Sequence, residues 1–274
     1  MVQDGDTITY PFNPGNINFD SGTLGPQTED ISNIDTIVVN KLDGDSSTHI
    51  EPLPENDFLQ DVGRGGYIEN AEADVSGYDN IYIYPAGEYD EGVHIGPEGL
   101  SNRTTDRVIG EITTRTLPGP DGTEITGPFC KMGASGLATG SSAGATSKIT
   151  VGSDPQSADL VAIVGGGGAG GVLSKSSNGY CLYGAHVDGS VWGIDGVAAQ
   201  GDLGGSAGLY DSNTETLTPP GGGSQELGIA SGGTLTTGGS SDGNGEIKIT
   251  YKASSTTSET PPKAPSSLTV EVSE

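Results

Sequence analysis

The chain is poor in the residues from which helical, globular enzymes are built. Only 5% of its 274 residues are aromatic and 32% are hydrophobic, a low share for an enzyme. Alanine, leucine and lysine dominate no stretch, so we do not expect helices to carry the fold. No apolar run approaches the roughly 20 residues that span a bilayer, and we expect no membrane insertion.

Basic residues are also scarce. Lysine and arginine number 11 against 37 acidic residues, for a formal charge of -26. Nucleic-acid binding is therefore excluded, because the phosphate backbone would be repelled. The acids are scattered rather than concentrated in a tail, which favours a protein that works at high salt, where screening weakens self-repulsion. The chain opens without the basic and apolar regions of a secretory signal, so we expect no export signal.

Cysteine and histidine are too few and too dispersed for a recognisable metal or redox motif. Cys130 and Cys181 lack C-x-x-C spacing, and they form either a long-range disulfide or two buried free thiols. His49, His94 and His186 show no metal-ligand spacing, and we expect them at the surface or in turns. The sequence predicts no metal site and no cofactor.

Acidic residues next to glycine recur at 43–45, 121–124 and 242–246. Their carboxylates suit a hard cation, but none of these segments completes a twelve-residue calcium loop. We interpret them as acid–glycine turns.

Glycine is abundant, with 47 residues, and its densest run follows an apolar strand at 160–164. Gly165, Gly167 and Gly170 have the G-x-G-x-x-G spacing of dinucleotide-binding proteins, which also need a helix directly after the glycines. Here a turn signal, Asn178-Gly179, and recurrent glycines follow instead. Two G-x-S-x-G matches, at 140–144 and 204–208, also lack a strand-to-helix context. The sequence therefore does not predict an enzyme.

A glycine-rich chain that forms no α-helices can build a rigid structure of another kind. It can form extended threefold helices like polyproline II, which pack side by side and hydrogen-bond through their backbones. Short alternating strands, such as 246–251, frame the glycine-rich region, and 63–75 and 81–84 are expected to form a hairpin. We predict an all-β, sandwich-like domain with packed polyglycine II-type segments and little or no helix.

Composition divides the chain into three parts. Residues 1–128 are predicted to be a β-rich part, and 129–252 a glycine-rich part of the same domain or of one tightly packed against it. Residues 253–274 form a Ser/Thr/Pro linker and a single C-terminal strand.

Four blocks occur in order at 63–68 (GRGGYI), 75–84 (VSGYDNIYIY), 162–171 (AIVGGGGAGG) and 244–251 (NGEIKITY). This order resembles the glycine-rich domain of phage tail fibres and other virion appendages, over roughly residues 32–252. The chain departs from that family at Pro85, where valine and glycine usually follow.

The resemblance, the acidic composition and the expected lack of an export signal together imply a virion structural protein of a virus that infects halophilic archaea. It would be a fibre, spike, turret or baseplate component that is assembled in the host cytoplasm and displayed on the virion surface to attach to the host. Its expected partners are other virion proteins, further copies of itself in a homo-oligomer such as a trimer, and a host-surface protein or glycan.

The alternatives are a cellular surface adhesin or secreted glycine-rich binding module and, less favoured, a nucleotide-binding enzyme. One cluster of aromatic residues in the glycine-rich part either contacts the receptor or covers glycine backbones: Tyr180, Tyr183, Trp192 and Tyr210.

Overall fold

The computed structural model consists almost entirely of strands and extended chain, which confirms the predicted all-β class. It describes residues 1–49, 57–59, 63–90, 93–101, 109–118, 124–132, 141–174, 181–182, 185–186, 192–240 and 243–253. The helical element in these ranges is one 3-10 turn, Pro14–Asn16, capped by Asn13, whose side chain accepts a hydrogen bond from the Gly15 N–H. None of the ranges contains a helix long and apolar enough to cross a membrane.

The strands are short, and glycine-rich or turn segments separate them. In the first part of the chain they are β1 (Thr7–Pro11), β2 (Ile17–Asn18), β3 (Thr23–Leu24), β4 (Gln27–Asp30), β5 (Thr36–Asp43), β6 (Thr48–His49), β7 (Asp57–Leu59), β8 (Tyr67–Glu69), β9 (Ala71–Asp74), β10 (Asn80–Tyr84), β11 (Gly87–Asp90), β12 (Val93–Gly96), β13 (Gly99–Leu100), β14 (Ile109–Pro118) and β15 (Glu124–Met132). The later ones are β16 (Ser141–Ser142), β17 (Ser147–Gly152), β18 (Asp159–Val164), β19 (Val172–Ser174), β20 (Cys181–Leu182), β21 (Ala185–His186), β22 (Trp192–Ile194), β23 (Leu209–Asp211), β24 (Thr216–Thr218), β25 (Gln225–Leu227), β26 (Thr234–Thr236) and β27 (Glu246–Lys252).

Two antiparallel sheets form the body of the fold. The first has the order β1-β27-β5-β8-β26, with β9 also paired to β5, and the second has the order β25-β18-β17-β10-β4. Both sheets contain strands from before and from after residue 129. The β-rich and glycine-rich parts of the chain therefore share the same sheets.

The hydrophobic core lies between these two sheets. On β27 the side chains of Ile247, Ile249 and Tyr251 are buried, whereas those of Lys248 and Lys252 are exposed. Isoleucine and valine side chains from the second sheet complete the same cluster: Ile81, Ile83, Ile149, Val151, Val161 and Val164. Burying each such side chain contributes about 1.5–3 kcal/mol, so this small core supplies much of the stability of a chain with few apolar residues.

Two tyrosines add a hydrogen bond inside this core. The hydroxyl groups of Tyr10 and Tyr251 lie 2.8 Å apart. Burial raises the pKa of Tyr10 to about 12 and also raises the pKa of Tyr251. Both phenols therefore stay neutral through the physiological pH range.

The prediction of a hairpin between 63–75 and 81–84 is wrong. Strands β8 and β9 pair with β5 in the first sheet, whereas β10 pairs with β17 and β4 in the second. All four side chains from Ile81 to Tyr84 are buried, as expected for a central strand. A tight turn with Gly77 at φ +89° carries the chain from one sheet to the other.

Smaller sheets surround the body. The hairpin β2–β3 packs beside the three-stranded sheet β11-β12-β13, over a second buried cluster of Ile17, Leu24 and Ile95. The remaining pairings are β14 with β15, β16 with β6, β23 with β24, β20 with β21, and β19 between β22 and β7.

Candidate functional site

The most distinctive feature of the fold is a set of extended segments that continue its strands. Segment 44–47 follows β5, 165–171 follows β18, and 143–146 leads into β17. We call the full set the glycine bundle, and it comprises residues 44–47, 63–66, 143–146, 165–171, 195–199, 203–208, 221–224 and 238–240. Strands of both sheets thus run directly into backbone-to-backbone packing.

Segment 165–171 lies at the centre of the glycine bundle. Residues three apart bond to the same neighbour: Gly165 and Gly168 both donate to 221–224 and both accept from 63–66. This threefold period is that of a polyproline II-type helix. Backbone hydrogen bonds connect the central segment to six others: 44–47, 63–66, 143–146, 195–199, 203–208 and 221–224. Six neighbours around one threefold helix is hexagonal packing, which confirms the predicted polyglycine II-type arrangement.

The glycines of the central segment have no room for a side chain. A Cβ added to Gly165, Gly166, Gly167 or Gly168 would lie well within 3.0 Å of backbone atoms in a neighbouring segment. The methyl groups of Ala143, Ala169 and Ala199 are buried together among these segments. Close approach of the neighbouring backbones therefore requires glycine at positions 165–168.

Serine side chains cap carbonyl groups at the margin of the bundle. Ser101 Oγ donates to the carbonyl of Gly144 at 2.9 Å, and Ser224 Oγ to that of Leu203 at 3.3 Å. The Leu203 carbonyl also accepts the backbone N–H of Ser224 at 2.8 Å, so the Ser224 hydroxyl adds a second bond to the same acceptor.

One buried ionisable pair anchors the glycine bundle to the neighbouring sheet. Asp45, in segment 44–47, and His94, on β12, are both buried, and His94 Nδ1 lies 2.5 Å from Asp45 Oδ2. The same carboxylate oxygen accepts the N–H of Ala145 at 3.1 Å. Asp45 Oδ1 is buried without a hydrogen-bond partner among the described residues. Asp45 therefore joins two bundle segments and β12 through one side chain.

The surroundings of this pair raise the pKa values of both Asp45 and His94. Burial raises the pKa of Asp45, although His94 and the Ala145 N–H oppose that shift. Burial alone would lower the pKa of His94, but the adjacent Asp45 carboxylate raises it by more, and Glu88 adds to the increase. Glu88 is the cross-strand partner of His94 between β11 and β12.

The two expectations for these residues from sequence are wrong. Asp43-Gly44-Asp45 is not an acid–glycine turn. Asp43 is the last residue of β5, and its Oδ2 atom lies 2.6 Å from Lys41 Nζ. Gly44 begins a bundle segment. His94 is buried rather than at the surface or in a turn. Its position between Val93 and Ile95 in a short apolar run was the available signal for burial.

The predicted aromatic cluster is described only in part. Tyr210 is half-buried on β23, and its N–H donates to Asp195 Oδ1 at 2.7 Å. Trp192 begins β22, which contacts β23, but its side chain lies outside the described part of the structure. Tyr180 and Tyr183 lie outside the described residues altogether. Receptor contact through these aromatic residues stays a prediction.

The backbone places the strands of the two cysteines near each other. Cys130 lies on β15, opposite Ile112, and Cys181 lies on β20, opposite His186. Strand β15 contacts β21, which forms a hairpin with β20. The cysteine side chains lie outside the described structure, so the disulfide and free-thiol alternatives both stay predictions.

The G-x-G-x-x-G match does not form a phosphate cradle. Residues 165–171 are extended, and strand β19 follows them where a dinucleotide site needs a helix N-terminus. Backbone groups that would bind a pyrophosphate instead bind the neighbouring segments. Among the described residues there is no group of three or more histidine, cysteine or acidic side chains placed to hold a metal ion.

Sequence reasoning also missed an exposed aromatic pair outside the glycine-rich part. The rings of Phe19 and Tyr89 lie 5.6 Å apart in an edge-to-face arrangement. No sequence pattern links these residues, because they belong to different small sheets.

Comparisons with protein-family models, curated proteins and solved structures find no match to this chain.

Proposed function

We propose that this chain is a structural component of a virion that infects halophilic archaea, displayed as a fibre, spike, turret or baseplate part and used to attach to the host surface. The observation that carries the proposal is the hexagonal glycine bundle at the end of the sandwich. Backbone hydrogen bonds to six neighbours make it a stiff support from which loops can project. The same glycine segments carry the resemblance to virion appendage domains.

The surface charge supports the halophilic part of the proposal. A formal charge of -26 on 274 residues repels itself strongly in dilute buffer. Symmetric assembly with further copies and with other virion proteins follows from a role as an appendage. The host partner would be a surface protein or a glycan, contacted by the projecting loops.

The direct test locates the chain in particles. Virions purified from an infected halophilic culture should contain the chain in fixed stoichiometry by mass spectrometry. Antibodies against it should label particles in electron micrographs and should block adsorption to host cells, whereas pre-immune antibodies should not. Recovery of the chain from the envelope of uninfected cells would instead establish the adhesin alternative.

A second prediction concerns salt. Raising NaCl from about 0.1 M to about 1 M shortens the Debye length from about 10 Å to about 3 Å, and it should raise the free energy of unfolding because carboxylate repulsion is screened. Urea titrations followed by circular dichroism measure this change, and KCl at the same ionic strength should produce the same shift. A urea midpoint that does not move with NaCl would contradict the halophilic part of the proposal.

A further inference from the structure

A compact apolar patch is exposed on the side of the molecule formed by β2–β3 and β11-β12-β13. Phe19 is 70% exposed, Tyr89 46% and Leu100 49%. Phe19 and Tyr89 contact each other edge to face. The Leu100 side chain, on β13, lies beside Gly22, which belongs to the same hairpin turn as Phe19. We call these three residues the aromatic patch. Three of the seven exposed large apolar side chains in the described residues thus gather around one turn, whereas exposed apolar residues are usually scattered.

The hairpin turn holds Phe19 in place. Asn18 Oδ1 accepts the N–H groups of Asp20 and Ser21 at 3.0 and 3.2 Å, and the Gly22 N–H donates to the Asn18 carbonyl at 2.8 Å. The buried cluster of Ile17, Leu24 and Ile95 lies beneath the same hairpin. A patch ordered before binding loses little conformational entropy when a partner docks.

The stretches of chain that form the aromatic patch are acidic. Stretches 12–24, 84–90 and 93–101 contain four acidic residues, no lysine and no arginine: Asp20, Glu88, Asp90 and Glu98. Asp20 and Glu98 are exposed, and the histidine in these stretches, His94, is buried. Aromatic faces beside carboxylates attract the side chains of lysine and arginine through cation–π contacts and charged hydrogen bonds.

We propose that the aromatic patch docks a basic protein segment, with a lysine or arginine side chain against the Phe19 and Tyr89 rings. Charge complementarity selects this occupant. A second copy of the chain carries the same charge of -26, and an anionic glycan would likewise be repelled. The inference is independent of the virion proposal, since it depends only on the patch and the charges around it.

Fluorescence anisotropy with a labelled hexa-arginine peptide tests the proposal, at the lowest salt in which the chain stays folded. Phe19→Ala and Tyr89→Ala should each weaken binding at least tenfold, because central aromatic contacts dominate docking. The matched control is Leu209→Ala, which removes an apolar side chain that is 51% exposed on β23; it should leave binding within twofold of wild type. All three variants keep the net charge, so non-specific attraction is the same in each.

Two further measurements complete the test. Unfolding curves should show that Phe19→Ala and Tyr89→Ala are both fully folded under the assay conditions, because neither side chain belongs to the buried core. Asp20→Asn should weaken peptide binding several-fold. The proposal is overturned if the peptide does not bind, or if it binds Phe19→Ala as tightly as wild type. It is also overturned if the wild-type chain binds a neutral oligosaccharide and Phe19→Ala abolishes that binding but leaves peptide binding unchanged.

Discussion

Replacing Gly167 by alanine is expected to prevent the glycine bundle from forming. The new Cβ would overlap the backbone of Gly63 and the N atom of Arg64. It would also separate two hydrogen bonds, from the Gly167 N–H to the Asp45 carbonyl and from the Gly144 N–H to the Gly167 carbonyl. Overpacking and unmade buried hydrogen bonds together cost at least about 4 kcal/mol. That is a large part of the 5–15 kcal/mol by which domains are typically stable.

Circular dichroism and urea titration measure the loss, and Gly77→Ala is the matched control. Gly77 has a φ of +89° and nothing within 4 Å of an added Cβ. Alanine there costs only its backbone strain, about 1–2 kcal/mol. Equal losses in the two variants would mean that the bundle tolerates a Cβ, and that its glycines serve conformational freedom rather than close approach.

The contrast between these two glycines shows what the sequence can and cannot predict. A glycine run after an apolar strand, in a chain without helix signals, leaves few structures other than packed extended segments. Strand β18, a continuous apolar run, and strand β27, which alternates with period two, were predictable because both patterns are local properties of the sequence. The sequence does not show which segments become neighbours. The Gly167 N–H, for example, donates to the carbonyl of Asp45, which is more than one hundred positions away in the chain.

Pairing errors have the same origin. The sequence places β9 and β10 next to each other, and a hairpin was the natural prediction for two strands joined by a turn. The structure separates them because β10 is buried on both faces and takes β17 and β4 as partners. Competition among strands for central positions depends on the whole sheet, which no single segment encodes.

The buried pair of Asp45 and His94 could not be predicted from spacing, because 49 positions separate its members. Only the fold brings β12 against the bundle, where a carboxylate replaces a backbone acceptor for the Ala145 N–H. The backbone groups of the bundle are neutral, so a change in the ionisation of this buried pair is expected to change its stability.

Replacing His94 by leucine is expected to cost about 3–5 kcal/mol at neutral pH, because it leaves the Asp45 carboxylate buried without its counter-charge. Asp45→Asn should cost less, since an amide oxygen can still accept from His94 and Ala145 and no charge is left unpaired. The free energy of unfolding from urea titrations measures both. If His94→Leu were no more costly than Asp45→Asn, the pair would not be carrying a charge.

The pair also predicts how stability depends on pH. Asp45 raises the pKa of His94 above its ordinary value of about 6.5, so the folded state holds this proton more tightly than the unfolded chain does. The resulting stability is fully present below about pH 6.5 and is lost as pH rises through the folded pKa of His94. The raised pKa of Asp45 acts in the same direction, from about pH 3.9 upward. Tyr10 and Tyr251 contribute nothing below about pH 9, because both phenols stay neutral there.

Unfolding measured between about pH 6 and pH 9 should therefore show a decline with a slope of up to about 1.4 kcal/mol per pH unit for one proton. Asp45→Asn should abolish that decline, because it removes the carboxylate that raises the pKa of His94. Replacing His49 and His186 by glutamine is the matched control, and the decline should persist in that double variant. If the decline persists in Asp45→Asn, the group that loses its proton is not His94 paired with Asp45. The Asp45–His94 contact would then not set the pH dependence of stability.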